Sequence, residues 1–322
     1  MKRYKKPLLI GGTMLAIFAI LGAVLPTSGA NILSRVLIMM LFGTAVNVMF
    51  GHSGLIAFGQ GIFFGGAAYA YVLLVVRAGL NHGAAVVVTM LGVLAASFLI
   101  GKLCLRVQAF TFALLFMGLN ILAYNIAMKV PALGSGSGVT GSVRPPMVSD
   151  TRVFFVMTLI VVAVCYFIIY KILHSSLGKV ANGLRENEER LVFLGINVKN
   201  VKLAMIMVSS FFCGVAGVLY AMLNLGAYTA YLNVLISEEG LIMCIVGGMY
   251  CFWGPSIGAV LITIITVYIA GLTVYYKMIL GIVLIVAIIF FPNGLLGQSK
   301  DGKGNRVTRW IGSLFNEDSI GL

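Results

Sequence analysis

The chain has 322 residues, of which 61% are hydrophobic and 10% charged, with a mean hydropathy of +1.07. A soluble domain carries about 25% charged residues, and 22 Lys and Arg with 9 Asp and Glu cannot cover soluble cores of this size. The formal charge of +13 is spread in short runs between long apolar stretches, so no continuous basic face exists for nucleic acid.

A transmembrane helix needs about 20 apolar residues. In chain order the sequence supplies such runs at 8–25, 32–50, 55–76, 84–100, 109–128, 153–173, 203–223 and 256–274. Two shorter runs, 239–252 and 278–291, are read as tilted spans or as a re-entrant pair. The predicted fold is an all-α polytopic bundle of eight to ten transmembrane helices. It forms one domain over 1–291 and is followed by a polar, basic tail over 292–322. The first run begins after Lys-Arg-Tyr-Lys-Lys and could pass for a signal peptide. Its 18 residues exceed the roughly 7–15 of a secretory apolar core, so it is read as a retained span.

Orientation follows the placement of Lys and Arg. With ten spans, 16 of the 22 basic residues fall on one side: the N-terminal cluster, Lys102, Arg106, six between Lys171 and Lys202, and four in the tail. Arg35, Arg77, Lys129, Arg144, Arg152 and Lys277 fall on the other. Both termini are therefore expected in the cytoplasm of a cell inner membrane. The segment 129–151, with its Gly/Ser run and Pro145-Pro146, is expected outside, and the charged stretch 174–202 inside.

Covalent chemistry finds no support. The sequence lacks Gly-Lys-Ser/Thr and His-Glu-x-x-His, and His52, His82 and His174 are far apart. The five cysteines, Cys104, Cys165, Cys213, Cys244 and Cys251, form no Cys-x-x-Cys and are read as small buried hydrophobes. No catalytic residue, cofactor or metal is expected.

Two regions are candidates for function. Residues 183–195 read as a short amphipathic helix, with Leu184, Leu191 and Leu194 on one face, Glu186 and Arg190 as an i,i+4 pair, and Gly195 as its left-handed stop. It is either a docking helix or a solvated linker on the membrane surface. Residues 51–66 hold glycines that permit close helix approach, Gly61 and Gly65 among them, or an interrupted helix lining a polar path. Gly51, Ser53, Gly54, Gln60 and Gly61 are the candidate pathway residues here. Of the adjacent Glu238 and Glu239, which point about 100° apart on a helix, Glu239 is the one assigned to the pathway.

The order and spacing of several motifs resemble the permease subunits of ATP-binding-cassette importers for branched-chain amino acids, the LivM-type family. Arg185-Glu186-Asn187-Glu188, Leu194-Gly195-Ile196-Asn197 and Lys202-Leu203 are similar to that family's cytoplasmic coupling segment. Gly214-x-x-Gly217, Ser237-x-Glu239, Gly247-Gly248-Met249, Trp253-Gly254-Pro255 and Pro292-x-Gly294-Leu295 continue the likeness. Ala57, Gln60 and Gly61 depart from it, standing where the family has serine, histidine and alanine; Glu238 replaces a usual glycine, and Tyr250 another small residue.

The resemblance implies a permease half paired with a second, similar subunit in the membrane lipid. It also implies two cytoplasmic ATPase subunits docked on Arg185, Glu186, Asn187, Glu188, Leu191, Leu194 and Gly195, and an extracytoplasmic solute-binding protein. Branched-chain or other amino acids are the expected solutes, with urea, amides or nucleosides as alternatives. A secondary transporter driven by an ion gradient is the rival class, and it should carry more intramembrane carboxylates. In a background without native cysteines, single cysteines at Ser137 and Ser175 are expected to label oppositely with a membrane-impermeant thiol reagent. Labelling of Ser175 from outside intact cells contradicts the assigned orientation.

Overall fold

Lipid offers backbone amides no hydrogen-bond partners, so apolar runs crossing it must satisfy themselves as helices. The computed structural model describes residues 26–272 apart from 135, 142 and 143, with Phe18, Gly22, Met278, Gly281, Ile282, Ile285, Gly294 and Leu295 in addition. The spans expected at 8–25 and 278–291 and the tail over 292–322 therefore lie, but for those few residues, outside the described residues. Within them the chain is all-α in class: α1 (Thr27–Ser53), α2 (Gln60–Val76), α3 (His82–Cys104), α4 (Ala109–Lys129), α5 (Thr151–Leu173), α6 (Ser176–Glu186), α7 (Glu188–Phe193), α8 (Val198–Asn224), α9 (Val234–Gly247) and α10 (Gly254–Leu272). Five of these, α1, α3, α4, α5 and α8, are long and apolar enough to cross a membrane.

Helix α1 is the axis of the bundle. It is buried along most of its length and packs against α5, α8, α9 and α10, while α2 fills the space between α8 and α3. The outer helices turn their large side chains outward: Val87, Leu91 and Leu99 on α3, Phe110, Leu114 and Leu122 on α4, and Val156, Ile160 and Val164 on α5. Such faces suit apolar surroundings, whether lipid chains or another membrane helix.

Small groups and hydroxyls close the inner seams. Gly217 of α8 sits against the carbonyl of Phe64 on α2, where a Cβ would collide with backbone. Ser209 donates its hydroxyl to the Ala45 carbonyl of α1 at 2.7 Å. Tyr166 of α5 donates to the Met40 carbonyl at 3.0 Å, lies 2.8 Å from Thr44 Oγ1 and 2.7 Å from Ser256 Oγ, and stacks on Trp253. One phenol thus ties α5, α1 and α10 together.

Two expected boundaries move. The apolar run 55–76 predicts one span, yet the helix begins only at Gln60. Gly54 is left-handed, with φ of 69°, and the 54–59 stretch is not helical. Gly59 lies directly on the ring and carbonyl of Phe116, an approach that a side chain would block. The run 239–252 is helical instead over Val234–Gly247, because Gly248 takes φ of 110° and the chain turns back into α10. Fourteen residues rise about 21 Å, less than the roughly 30 Å of a hydrocarbon core.

The loop 129–151 contributes a feature that its composition hides. Val139–Thr140 (β1) pairs antiparallel with Gly226–Ala227 (β2), in register Val139 with Ala227 and Thr140 with Gly226. Arg144 donates from Nε to the Met222 carbonyl at 2.7 Å and from Nη2 to the Leu223 carbonyl at 3.0 Å. A cation here complements the negative end of α8. The amide of Leu295 donates to the Val246 carbonyl at 2.9 Å, bringing the described C-terminal residues to the α9–α10 turn.

Gly217→Ala forces α2 and α8 apart, and overpacking of this kind costs about 1–3 kcal/mol. Gly66→Ala, on the same α2 but with open space around its Cβ, is the control. A clear fall in the detergent melting temperature is expected for the first variant and none for the second. Equal melting temperatures would remove this contact as a determinant of the packing.

Candidate functional site

The first candidate lies on α6 and α7. A single helix over 183–195 was expected, but the chain breaks at Asn187, whose backbone is extended with φ of −160°. The Asn187 side chain accepts from the Arg190 amide at 3.0 Å and so starts α7 afresh. Glu186 and Arg190 consequently do not share a helix, and the expected i,i+4 pair is replaced by another. Glu188 pairs with Lys202 of α8, with Nζ 2.7 Å from Oε1. The expected common face also divides. Leu184 and Leu191 are buried in a small core with Val198, whereas Leu194 is 69% exposed. Gly195 does take the left-handed conformation expected of it, with φ of 77°.

The corrected geometry exposes a different apolar group. Val192, Phe193 and Leu194 project from the end of α7 at 58%, 89% and 69% exposure. Burying Leu191 inside the subunit forces its neighbours outward, so the protruding tip is a consequence of the same short helix. Sequence periodicity selected Leu191 and Leu194 and passed over Phe193, because it assumed one unbroken helix.

This unit is bolted to α1. Arg185 donates from Nη1 to the Gly51 carbonyl at 2.5 Å, lies along Gly54, and stands 4.8 Å over the Tyr250 ring in the α9–α10 turn. His52 Nδ1 lies 3.2 Å from Asn182 Oδ1 on α6. Ser53 donates to the Val48 carbonyl at 3.2 Å, within its own helix. Three expected pathway residues, Gly51, Ser53 and Gly54, therefore occupy the end of α1, where Gly51 and Gly54 meet the α6 side chain of Arg185.

The second candidate is polar and buried among α2, α4 and α9. Gln60 is fully buried; its Nε2 faces Met49 Sδ at 3.4 Å, and its Oε1 has no partner among the described residues. The Gly61 amide donates to Ser237 Oγ at 2.8 Å. Asn120 of α4 lies beside Gly61, fully buried, with neither amide atom partnered among the described residues. Sequence reasoning missed Asn120, although an amide inside the apolar run 109–128 was the available signal.

Glu239, the remaining pathway candidate, is half-buried on α9, and the charge acting on it is Arg35 of α1. Arg35 also stands 5.8 Å from the Tyr220 ring. Counting Arg35 as an outer-loop charge hid this relation, though it falls within the span expected over 32–50. A charge in such a place needs a partner.

These features coincide with one family. The family described as "Branched-chain amino acid transport system / permease component" matches residues 28–288. The chain belongs to that family and is a multi-pass transmembrane permease component. It is similar to the high-affinity branched-chain amino acid transport system permease protein LivM of Escherichia coli (strain K12), with 24% identity over 300 residues covering 84% of this chain and 70% of the relative. The protein of the same description from Salmonella typhimurium (strain LT2) is 25% identical with the same coverage. No solved structure matches the chain.

The Arg35–Glu239 relation is testable by a double-mutant cycle. Arg35→Gln and Glu239→Gln each leave one charge uncompensated in the membrane, and neighbouring sites couple by about 0.5–3 kcal/mol. Each single variant is expected to lower the melting temperature in detergent, and the double variant to lose less than the sum. Strictly additive losses mean that the two charges do not interact.

Proposed function

We propose that this permease is one half of the membrane channel of an ATP-binding-cassette importer, and that the α6–α7 unit receives the force of ATP binding. A second, similar permease subunit completes the channel, two cytoplasmic ATPase subunits supply the nucleotide chemistry, and an extracytoplasmic binding protein delivers the solute. The chain sits in the cell inner membrane with both termini in the cytoplasm. Branched-chain or other small amino acids are the proposed solutes, in keeping with the transport systems to which the two relatives belong.

The observation that carries this reading is the exposed Val192–Phe193–Leu194 tip on a unit held rigidly to α1 by Arg185. An aromatic side chain at 89% exposure is a poor surface residue in water and a good anchor for a partner's cleft. Its neighbour Leu191 is already buried within the subunit, so Phe193 replaces Leu191 as the docking group. Arg185, Glu186, Asn187, Glu188 and Gly195 shape the unit: Arg185 fixes it to α1, Asn187 and Gly195 delimit α7, and Glu188 holds α7 to α8. Movement of α6 and α7 would bear directly on the end of α1 and on the 54–59 break.

Phe193→Asp places a charge at the centre of the docking contact without touching a membrane span. Anchors of this kind contribute about 2 kcal/mol or more, so ATPase association is expected to weaken at least thirtyfold. ATP-driven uptake should fall with it, while membrane insertion and melting temperature stay at wild-type values. Wild-type uptake by this variant overturns the coupling role. Uptake abolished by a proton or sodium uncoupler at constant ATP assigns the chain to gradient-driven transport instead.

A further inference from the structure

Helix α2 starts inside the protein, at Gln60, after the non-helical residues 54–59. Its first turn carries no acidic residue, and its N-cap, Gly59, supplies no side-chain hydrogen bond. Of its first amides, Gly61 donates to Ser237 Oγ at 2.8 Å and Ile62 to the Gly59 carbonyl at 3.1 Å. The aligned peptides behind them still leave roughly half a positive charge at this end, which favours an anionic group. A helix start alone is not a site. Here a second observation points the same way: Asn120 is fully buried, and both its amide atoms lie 3.2 Å from where a Gly61 Cβ would stand, unpartnered among the described residues. A buried amide left unpaired is costly, and a fixed packing role does not repay that cost.

Ser237 of α9 completes the arrangement. Its oxygen accepts from the Gly61 amide at 2.8 Å, which leaves its own proton to donate. Gly61 has no side chain, and a methyl there would stand 3.0 Å from Ser237 Oγ and 3.2 Å from the Asn120 amide. Three helices thus bring an N–H₂ group, an O–H group and a positive dipole end together around Gly61, without any basic side chain among these groups. The space is closed too tightly here even for a methyl, and so opens to a solute only when α2, α4 and α9 part.

We propose that Asn120, Ser237 and the start of α2 bind the carboxylate of the transported solute as it crosses. The inference rests on the transport reading and adds to it a recognition site for a small carboxylate-bearing solute. Neutral donors and a helix dipole suit this task, because a transporter must release the anion that it attracts. Asn120 Nδ2 and Ser237 Oγ donate to the carboxylate oxygens, and Asn120 Oδ1 is left to accept from a second polar group of the same solute.

The test uses the full importer in proteoliposomes, with saturating L-leucine-loaded binding protein and L-leucine as the probe. Asn120→Ala and Ser237→Ala are each expected to lower maximal uptake at least tenfold per assembled importer. Asn120→Asp places a second carboxylate beside the solute's own. Its uptake, taken relative to wild type at each pH, should be low at pH 8 and rise as acid protonates the introduced group, whereas Asn120→Ala stays flat. Wild-type uptake by all three variants overturns the site. Equal losses in Asn120→Ala and Asn120→Asp with flat pH profiles also overturn it, since they indicate packing alone. If the wild-type importer shows no ATP-driven uptake of L-leucine, the transport reading itself falls and the site with it.

Discussion

Helices in a bilayer gain nothing by hiding apolar surface from a solvent that is itself apolar, so their association depends on how closely backbones can approach. The close seat of Gly217 on the Phe64 carbonyl is the contact from which the rest of the interior follows. It brings α8 against α2 and sets Phe64 between Phe42 and Tyr220, with ring centroids 4.9 and 5.4 Å away. With α2 held there, its start is fixed next to α4 and α9, which is what places Gly61 by Asn120 and Ser237. The hydroxyls of Ser209 and Tyr166 then secure α1 to its neighbours with hydrogen bonds that lipid cannot supply.

The interrupted stretch 54–59 links the two candidate regions. At one end Gly54 lies along Arg185 of α6; at the other Gly59 lies on Phe116, one helical turn before Asn120 on α4. Irregular backbone at membrane depth survives only where protein or a polar cavity surrounds it, and here Phe116 and Arg185 enclose it. In the proposed mechanism this short segment is the mechanical path: a displacement of α6 reaches the α2 start through six residues that no helical ladder stiffens.

Much of this was legible beforehand. Apolar length located the described spans to within about five residues, because membrane thickness and backbone satisfaction are severe constraints that leave a strong trace in composition. Two of the misreadings share a tertiary origin. The break at Asn187 and the late start at Gln60 are decided by tertiary contacts, respectively the Glu188–Lys202 pair with the Leu191 core and the pressure of Phe116 on Gly59. Neither contact has a periodic signature. Arg35 and Asn120 were visible as polar letters in apolar runs, but which helix each would face depends on rotation about the helix axis, and a lone polar residue does not fix that rotation.

The α6–α7 unit also decides which substitutions can report on docking. Reversing Glu188 would set a positive charge beside Lys202 and disturb the join between α7 and α8, so a loss of coupling there could not be assigned to a partner's surface. A side chain at Gly195 meets no atom within 4 Å, so its cost is confined to the left-handed backbone, about 1–3 kcal/mol at the end of α7. That strain falls on the backbone just after the tip and leaves the tip's own side chains in place. Phe193 differs from both, since its side chain is exposed and lies outside the Leu184–Leu191–Val198 core. The structure therefore separates groups that build the coupling unit from the group that presents it, a distinction that an unbroken amphipathic helix would have erased.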